Sequence, residues 1–351
     1  MKHLFRLLAL VATLAMVTAA CTGDGRDTGG DNAVPGDQAA TNPEPDNTLT
    51  VYSRTRDSRL FKLFEQQTGI RVLVRWGDLD DLRDQILQEG ANSPADVFYA
   101  PLSDDLGPVA AAGRLATLSD QQLNRVPEAY RSPDGTWVGT SGRALVMFYN
   151  TDKLSEDDLP DSILGFADPA WRGRIGWDPN NRALQGAITA LRQLKGEDTT
   201  RAWLKGIQAN KPAVFDGPRP IATAVAAGKL IDVGFGNPFY LYQLHAVGDA
   251  TNVAARFYPG DPGGLMQVAG VGIIKGTDNK AAADAFVDFL LSKTAQRYFA
   301  EVNHEIPVVK GVEPPEGMPT ADQLTVPDLD VRQLEDLDST RELLTKLEII
   351  M

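Results

Sequence analysis

From Leu49 onward the sequence alternates short apolar runs with segments whose apolar residues recur at helical spacing, and that alternation restricts the chain to an α/β fold. Leu49-Thr50-Val51-Tyr52-Ser53 reads as a buried strand. Asp57 or Ser58 caps a helix with Leu60, Phe61, Leu63 and Phe64 on one face, and Gly69 ends it. Residues 70–76 form the next strand, 78–89 an amphipathic helix stopped by Gly90, and 96–99 a third strand behind the turn Asn92-Ser93-Pro94. An extended stretch at 136–150 opens a second series, with strands at 174–177, 213–215 and 231–235 and helices at 183–194, 200–209 and 221–227. Residues 268–274 are a returning strand, followed by helices at 281–291 and 294–302, a Pro-rich loop at 313–319 and a closing helix at 331–347. About 300 folded residues exceed what one ordinary core holds, so two lobes are expected. Each is expected to be a mostly parallel sheet flanked by helices, with a hinge between them. The boundaries read are 48–140 plus 268–310 for one lobe, 141–267 for the other, and 311–351 for a C-terminal extension packing on both.

The amino terminus is of another kind. Lys2 and Arg6 precede and interrupt an apolar run that reaches Val17 and ends in Thr18-Ala19-Ala20-Cys21. The run is too short to span a bilayer, and small residues precede the one cysteine of the chain. Residues 1–20 are therefore read as a signal peptide and Cys21 as the lipidation site of an exported protein anchored to the outer face of the cell membrane. Thr18 departs from the Leu that is commoner there. Residues 22–47 are Gly, Asp, Asn and Pro with almost no apolar side chain, a composition for a flexible linker. Without the signal peptide the net charge deepens from −13 to −15, because Lys2 and Arg6 leave with it. An acidic chain of this kind is a poor nucleic-acid partner.

Five segments carry a resemblance. Leu49-Thr50-Val51-Tyr52-Ser53, Asn92-Ser93-Pro94-Ala95-Asp96-Val97-Phe98-Tyr99, Ser141-Gly142-Arg143, Trp171-Arg172-Gly173-Arg174-Ile175-Gly176-Trp177 and Asn237-Pro238-Phe239-Tyr240 resemble, in order and spacing, the ferric-ion-binding proteins of ABC importers. The likeness covers most of residues 48–310. It implies the type II periplasmic-binding fold, a small-molecule or ion ligand held between two lobes, an ABC permease as partner, a monomer, and no cofactor beyond Fe(III) as the transported ligand with a bound anion. It also implies iron ligands: a His or Glu near the first βα turn, an acidic residue after the third strand, and two adjacent tyrosines. Here Arg56, Pro101 and Phe239 fall at three of those positions, and Tyr240 alone matches the family's metal ligand. His245 and His304 lie in separate segments, so short spacing assembles no histidine cluster.

In open α/β sheets ligands bind beyond the carboxyl ends of strands. Arginines recur at those junctions: Arg54 and Arg56 after the first strand, Arg182 before a helix, Arg219 after Asp216-Gly217-Pro218, and Arg143 in the segment that in the family reaches the anion. Guanidinium forks and helix N-terminal amides favour an anion. A trivalent cation about 5 Å from one guanidinium is repelled by roughly 10 kcal/mol at an effective dielectric of 20, or about 2.5 in water. An anion, or iron wrapped in an anionic chelator such as citrate, is thus expected in preference to bare Fe(III). Ser141, Gly142, Asn180, Asn181 and Asn237 are read as hydrogen-bonding members of the site, and Tyr99, Tyr240 and Tyr242 as aromatic walls, with strand core as the alternative for Tyr99. Tyr240 and Tyr242 point apart if their stretch is helical. The catalytic motifs sought, namely Walker A, HExxH, GxSxG and CxxC, are absent, and the acidic pairs Asp80-Asp81 and Asp104-Asp105 are expected to be solvated. The chain reads as a binding protein for a transporter and not as an enzyme; the alternatives are uptake of a small organic or inorganic anion without iron and, more remotely, a signalling lipoprotein or enzyme of the same fold.

Overall fold

The computed structural model of the protein describes residues 47–55, 57–326, 329, 334 and 337–351. The signal peptide, Cys21, the linker as far as residue 46, Arg56 and the start of the expected closing helix lie outside the described residues.

β1 (Thr48–Ser53), α1 (Ser58–Thr68), β2 (Arg71–Trp76), α2 (Leu79–Glu89) and β3 (Val97–Ala100) alternate as the sequence predicts. Local chemistry sets their ends. Asp57 accepts the N–H groups of Arg59 and Leu60 at the start of α1, a cap of about 1 kcal/mol. Gly69, at φ 72°, closes the helix in the left-handed region that an L side chain resists. Leu60, Phe61 and Phe64 bury the face that their spacing defines. After α3 (Leu106–Ala111) and α4 (Asp120–Leu123), β4 (Trp137–Ala144) runs almost directly into β5 (Val146–Asn150), and the chain passes from one sheet to the other. The second sheet gathers β6 (Ile175–Trp177), α5 (Arg182–Lys195), α6 (Glu197–Ala209), β7 (Ala213–Val214), α7 (Pro218–Ala227), β8 (Val233–Gly236), α8 (Pro238–His245) and β9 (Val253–Arg256). β10 (Met266–Ile273) returns to the first sheet, where α9 (Lys280–Leu290), α10 (Lys293–Glu301) and β11 (Ile306–Pro307) complete it, and α11 (Leu337–Lys346) ends the described elements.

The strand order is β11-β4-β10-β3-β1-β2 in one sheet and β7-β6-β8-β5-β9 in the other. Two mixed sheets with their helices make the two-lobed type II architecture. They are mixed and not mostly parallel: β1 pairs in parallel with β2 and β3, but β10 runs antiparallel to β3 and β4, and β5 antiparallel to β8 and β9. Strands that enter from the opposite sheet arrive reversed, and a reading of local βα units does not reveal them.

The segment after β11 touches both lobes. Met318, Ala321 and Leu324 join the larger core cluster, which holds the first sheet's core and part of the second's, while Leu343 and Leu344 of α11 join a core within the second lobe. Tyr130 donates to the Ala321 carbonyl (2.9 Å), and the Thr189 and Thr340 hydroxyls pair at 2.7 Å. The short elements β9 and β11 escape the sequence reading because edge strands this brief have too few residues to show alternation.

Candidate functional site

A cleft of about 520 Å³ lies where the carboxyl end of β3, the end of β4 and the N-termini of α1, α5 and α8 converge. Arg54, Arg59 and Asn303 line its outer part on the side of the first sheet. Arg143, Glu305 and Gln267 form the inner wall, and Asn181, Arg182, Asn237, Tyr240 and Gln243 face them from the second lobe.

Arg143 sits near the end of β4, and β11 pairs antiparallel with β4 so that Ile306 faces Gly142 and Pro307 faces Ser141. One step further, the same register sets Glu305 opposite Arg143 as a cross-strand neighbour. The contact is bidentate in nitrogen: Arg143 donates Nε (3.0 Å) and Nη2 (2.5 Å) to Glu305 Oε1, and Nη1 to the Pro101 carbonyl (2.7 Å). The Ser141 hydroxyl donates to Glu305 Oε2 (2.5 Å). Burial works against the Arg143 charge, but Glu305 more than offsets it and holds the guanidinium pKa above its ordinary value. Gln296 pins the short strand: its Nε2 donates to the Thr140 and Leu290 carbonyls, and its Oε1 accepts from Val308 N and Val309 N.

Arg182, the first residue of α5, makes the second charge cluster, and this one crosses the lobes. Its Nη2 donates to Asp104 Oδ2 (2.8 Å) and Asp105 Oδ1 (3.2 Å), carboxylates that follow β3 of the first sheet. Asp105 is 1 % exposed, so the expectation of a solvated pair fails there. Burial, then repulsion from Asp104, push its pKa up to about 6 against the pull of Arg182. Asp105 Oδ2 and Arg182 Nε are buried and lack hydrogen-bond partners. A second contact between the lobes lies at the cleft rim, where Tyr242 of α8 stacks on His304 (5.1 Å, 19°) and donates to the Glu316 carbonyl.

The residues expected at the site divide into groups. Arg54, Arg143, Asn181, Arg182, Asn237 and Tyr240 line the cleft. Arg54 is half-exposed and only 3.6 Å from Asp78, whereas Asn181 also caps α5 by accepting Leu184 N–H and Asn237 donates to the Ala144 carbonyl. Ser141 reaches the wall through Glu305. Gly142 faces away from it, where a Cβ would stand 2.2 Å from Met266 Sδ. Tyr99 is core, stacked edge-on near Phe286, and burial holds its phenol far above the usual range. Asn180 and Arg219 are exposed and do not line the cleft; Tyr242 serves the rim. Tyr240 and Tyr242 do diverge, as helical spacing requires. His245 is exposed, with Nε2 2.9 Å from the Ala250 carbonyl.

The sequence reading missed Arg59, Gln243, Gln267, Asn303 and Glu305. Arg59 had a signal, since it stands in the first turn of the helix after the same βα junction as Arg54. Glu305 had none, because only the pairing of β11 with β4 brings it to Arg143. The structure also corrects the electrostatic argument: three carboxylates match Arg143 and Arg182 closely, whereas Arg54 and Arg59 are more than half exposed and hold only looser pairs, 3.6 Å to Asp78 and 3.9 Å to Asp57, so the positive charge most open to a ligand rests on them. Among the described residues no group of three or more His, Cys, Asp or Glu stands where it could hold a metal ion.

Two α/β lobes enclosing one polar cleft define a binding protein that captures a small solute between its halves. The chain belongs to the family of bacterial extracellular solute-binding proteins, whose family model matches residues 92–334. Such proteins are the substrate-binding components of transporters and not enzymes. The chain is 34% identical over 279 residues to Iron uptake protein A2 of Synechocystis, covering 76% of this chain and 79% of that one. Among solved structures, iron-bound HitA from Pseudomonas aeruginosa is 31% identical, with a TM-score of 0.76 over 86% of this chain and 99% of that chain. The Trichodesmium protein IdiA (FutA) in complex with iron and citrate is 30% identical, with a TM-score of 0.75 over 86% and 99%. The resemblance to ferric-ion-binding proteins read from the five segments is the one these comparisons return.

Proposed function

We propose that the protein is the lipid-anchored receptor of an ABC iron importer and that it takes iron as an anionic chelate in preference to bare Fe(III). The observation that carries this reading is the cleft lining: among the described residues one phenol, Tyr240, stands beside four arginines, and the one lining carboxylate, Glu305, is already engaged by Arg143 and Ser141. Bare Fe(III) needs several anionic oxygens of its own. A chelate brings them and meets the cleft through hydrogen bonds and the charge of Arg54 and Arg59. The solved relative with iron and citrate supports the reading by analogy.

In this scheme residues 1–20 are removed, Cys21 is acylated, and 22–47 tether a monomer to the outer face of the membrane. The moving bodies are the lobes 48–140 plus 268–310 and 141–267. The cargo bridges them, the cleft shuts, and the closed form docks on the permease. Cys21→Ser should abolish incorporation of radiolabelled palmitate and release the protein into the medium.

Thermal unfolding of the purified protein with ferric chloride, ferric citrate, citrate, phosphate and phosphonates tests the cargo. Stabilisation by ferric citrate above citrate alone, weakened about tenfold in concentration dependence by Tyr240→Phe, is expected. Stabilisation by anions regardless of iron would make it an importer receptor for small organic or inorganic anions. Stabilisation by ferric chloride alone would refute the chelate reading.

A further inference from the structure

We infer that Glu305 is the specificity-determining residue for cargo charge: a built-in carboxylate that occupies one fork of Arg143 and so reserves the inner wall for neutral or weakly charged parts of the cargo. The inference rests on the anionic-cargo reading above and deepens it.

The geometry carries it. A guanidinium has five N–H groups in a planar fork, and its strongest anion contacts are bidentate. Glu305 Oε1 takes the Nε and Nη2 edge of Arg143, and the Pro101 carbonyl takes a donor from Nη1. What remains toward the cleft is one N–H on each terminal nitrogen, held by a cation whose charge is already cancelled at 2.5 Å. Glu305 Oε2 accepts only from Ser141, so it keeps acceptor capacity for a hydroxyl of the cargo. The inner wall therefore attracts donors and acceptors but no concentrated negative charge. Such charge is left to Arg54 and Arg59, whose side chains are 54% and 71% exposed against 23% for Arg143 and whose own pairs, with Asp78 and Asp57, are long at 3.6 and 3.9 Å.

This division predicts a cargo with its negative charge at one end and hydroxyl or amide-like groups at the other, and a penalty on compact anions with several charges. Changing Glu305 should change the dependence on charge more than the affinity for any single ligand.

The test is the affinity of the full chain, in detergent, for a mono-, a di- and a tricarboxylate of equal carbon skeleton, by calorimetry, for the wild type, Glu305→Gln and Glu305→Asp. Removing the carboxylate charge should tighten tricarboxylate binding about tenfold and monocarboxylate binding about threefold or less, a steeper slope with charge. Glu305→Asp, which keeps the charge, should keep the wild-type slope even where its affinities fall. If Glu305→Gln does not fold, Arg143→Gln makes the converse change: an unmatched Glu305 should flatten the slope and cost the tricarboxylate at least about tenfold. A slope unaltered in Glu305→Gln, or in Arg143→Gln where that is the variant used, would overturn the role of Glu305 while leaving an anion-binding cleft. Binding of no free carboxylate by any of the proteins would overturn this inference, whereas the chelate reading itself falls only with the ferric citrate measurement above.

Discussion

Two arginines on the cleft wall, Arg143 and Arg182, use the same chemistry in opposite ways. Arg143 and Glu305 are carried by neighbouring strands of one sheet, so their pairing is set by strand register and survives any relative movement of the lobes. Arg182 and its partners Asp104 and Asp105 belong to different lobes, so their pairing exists only while those lobes stand as they do here. The quality of satisfaction differs accordingly. Both oxygens of Glu305 are bonded, whereas Asp105 Oδ2 and Arg182 Nε are buried without partners. A pair inside one lobe is completed here by its sheet; the pair between the lobes is left incomplete, and an incomplete pair is easier to break.

The largest effect that would sharpen the contrast is expected from Glu305→Ala, which strands Arg143. Because the Arg143 side chain is 23% exposed, the loss should sit at the lower end for a broken buried pair, about 3 kcal/mol, read from guanidinium unfolding. A loss under about 1 kcal/mol would mean that the pair does not hold the sheet edge. Arg182→Gln should cost less, about 2 kcal/mol at pH 7, and it should also raise the radius of gyration in small-angle scattering as the lobes lose their tie. An unchanged radius would place the Arg182 cluster among fixed contacts like that of Arg143.

The third effect is pH dependence. Asp105 is raised from 3.8 to about 6, so the folded state holds its proton more tightly than the unfolded chain does. The stabilisation from that proton is complete below pH 3.8 and is lost as pH rises through about 6. Between pH 7 and pH 5 the wild type should gain about 1 kcal/mol from this group, and the deficit of Arg182→Gln should shrink over the same interval. Asp105→Asn should remove that gain, and a variant that still gains it would locate the titration elsewhere. The smallest effect is expected from Tyr242→Phe at the rim contact with His304 and Glu316. It removes the bond to the Glu316 carbonyl but keeps the stack on His304, so a loss near 0.5 kcal/mol is expected by chemical unfolding.

Much of this was legible in the chain. The βα alternation gave α1, α2 and α5 to α7 within a few residues, because their caps and apolar faces are local facts: Asp57 and Gly69 bound α1, and Asn181 opens α5. The arginines at strand ends were legible for the same reason, and Arg54, Arg143 and Arg182 do line the cleft. Their counter-ions were not. Asp104 and Asp105 read as an ordinary solvated pair, since adjacency says nothing of Arg182, which reaches them from the other lobe.

By itself, then, the order of residues determined the α/β class, the two lobes and the helix ends. All of these depend on periodicity, capping or residue identity, which act over a few positions of chain. Only the tertiary structure decided which charges in the cleft are free. That follows from pairings 162 residues apart for Arg143 with Glu305 and 77 or 78 apart for Arg182 with its two aspartates. The net charge that a ligand meets is a sum over whatever the fold brings within a few ångströms, and no local pattern encodes that sum.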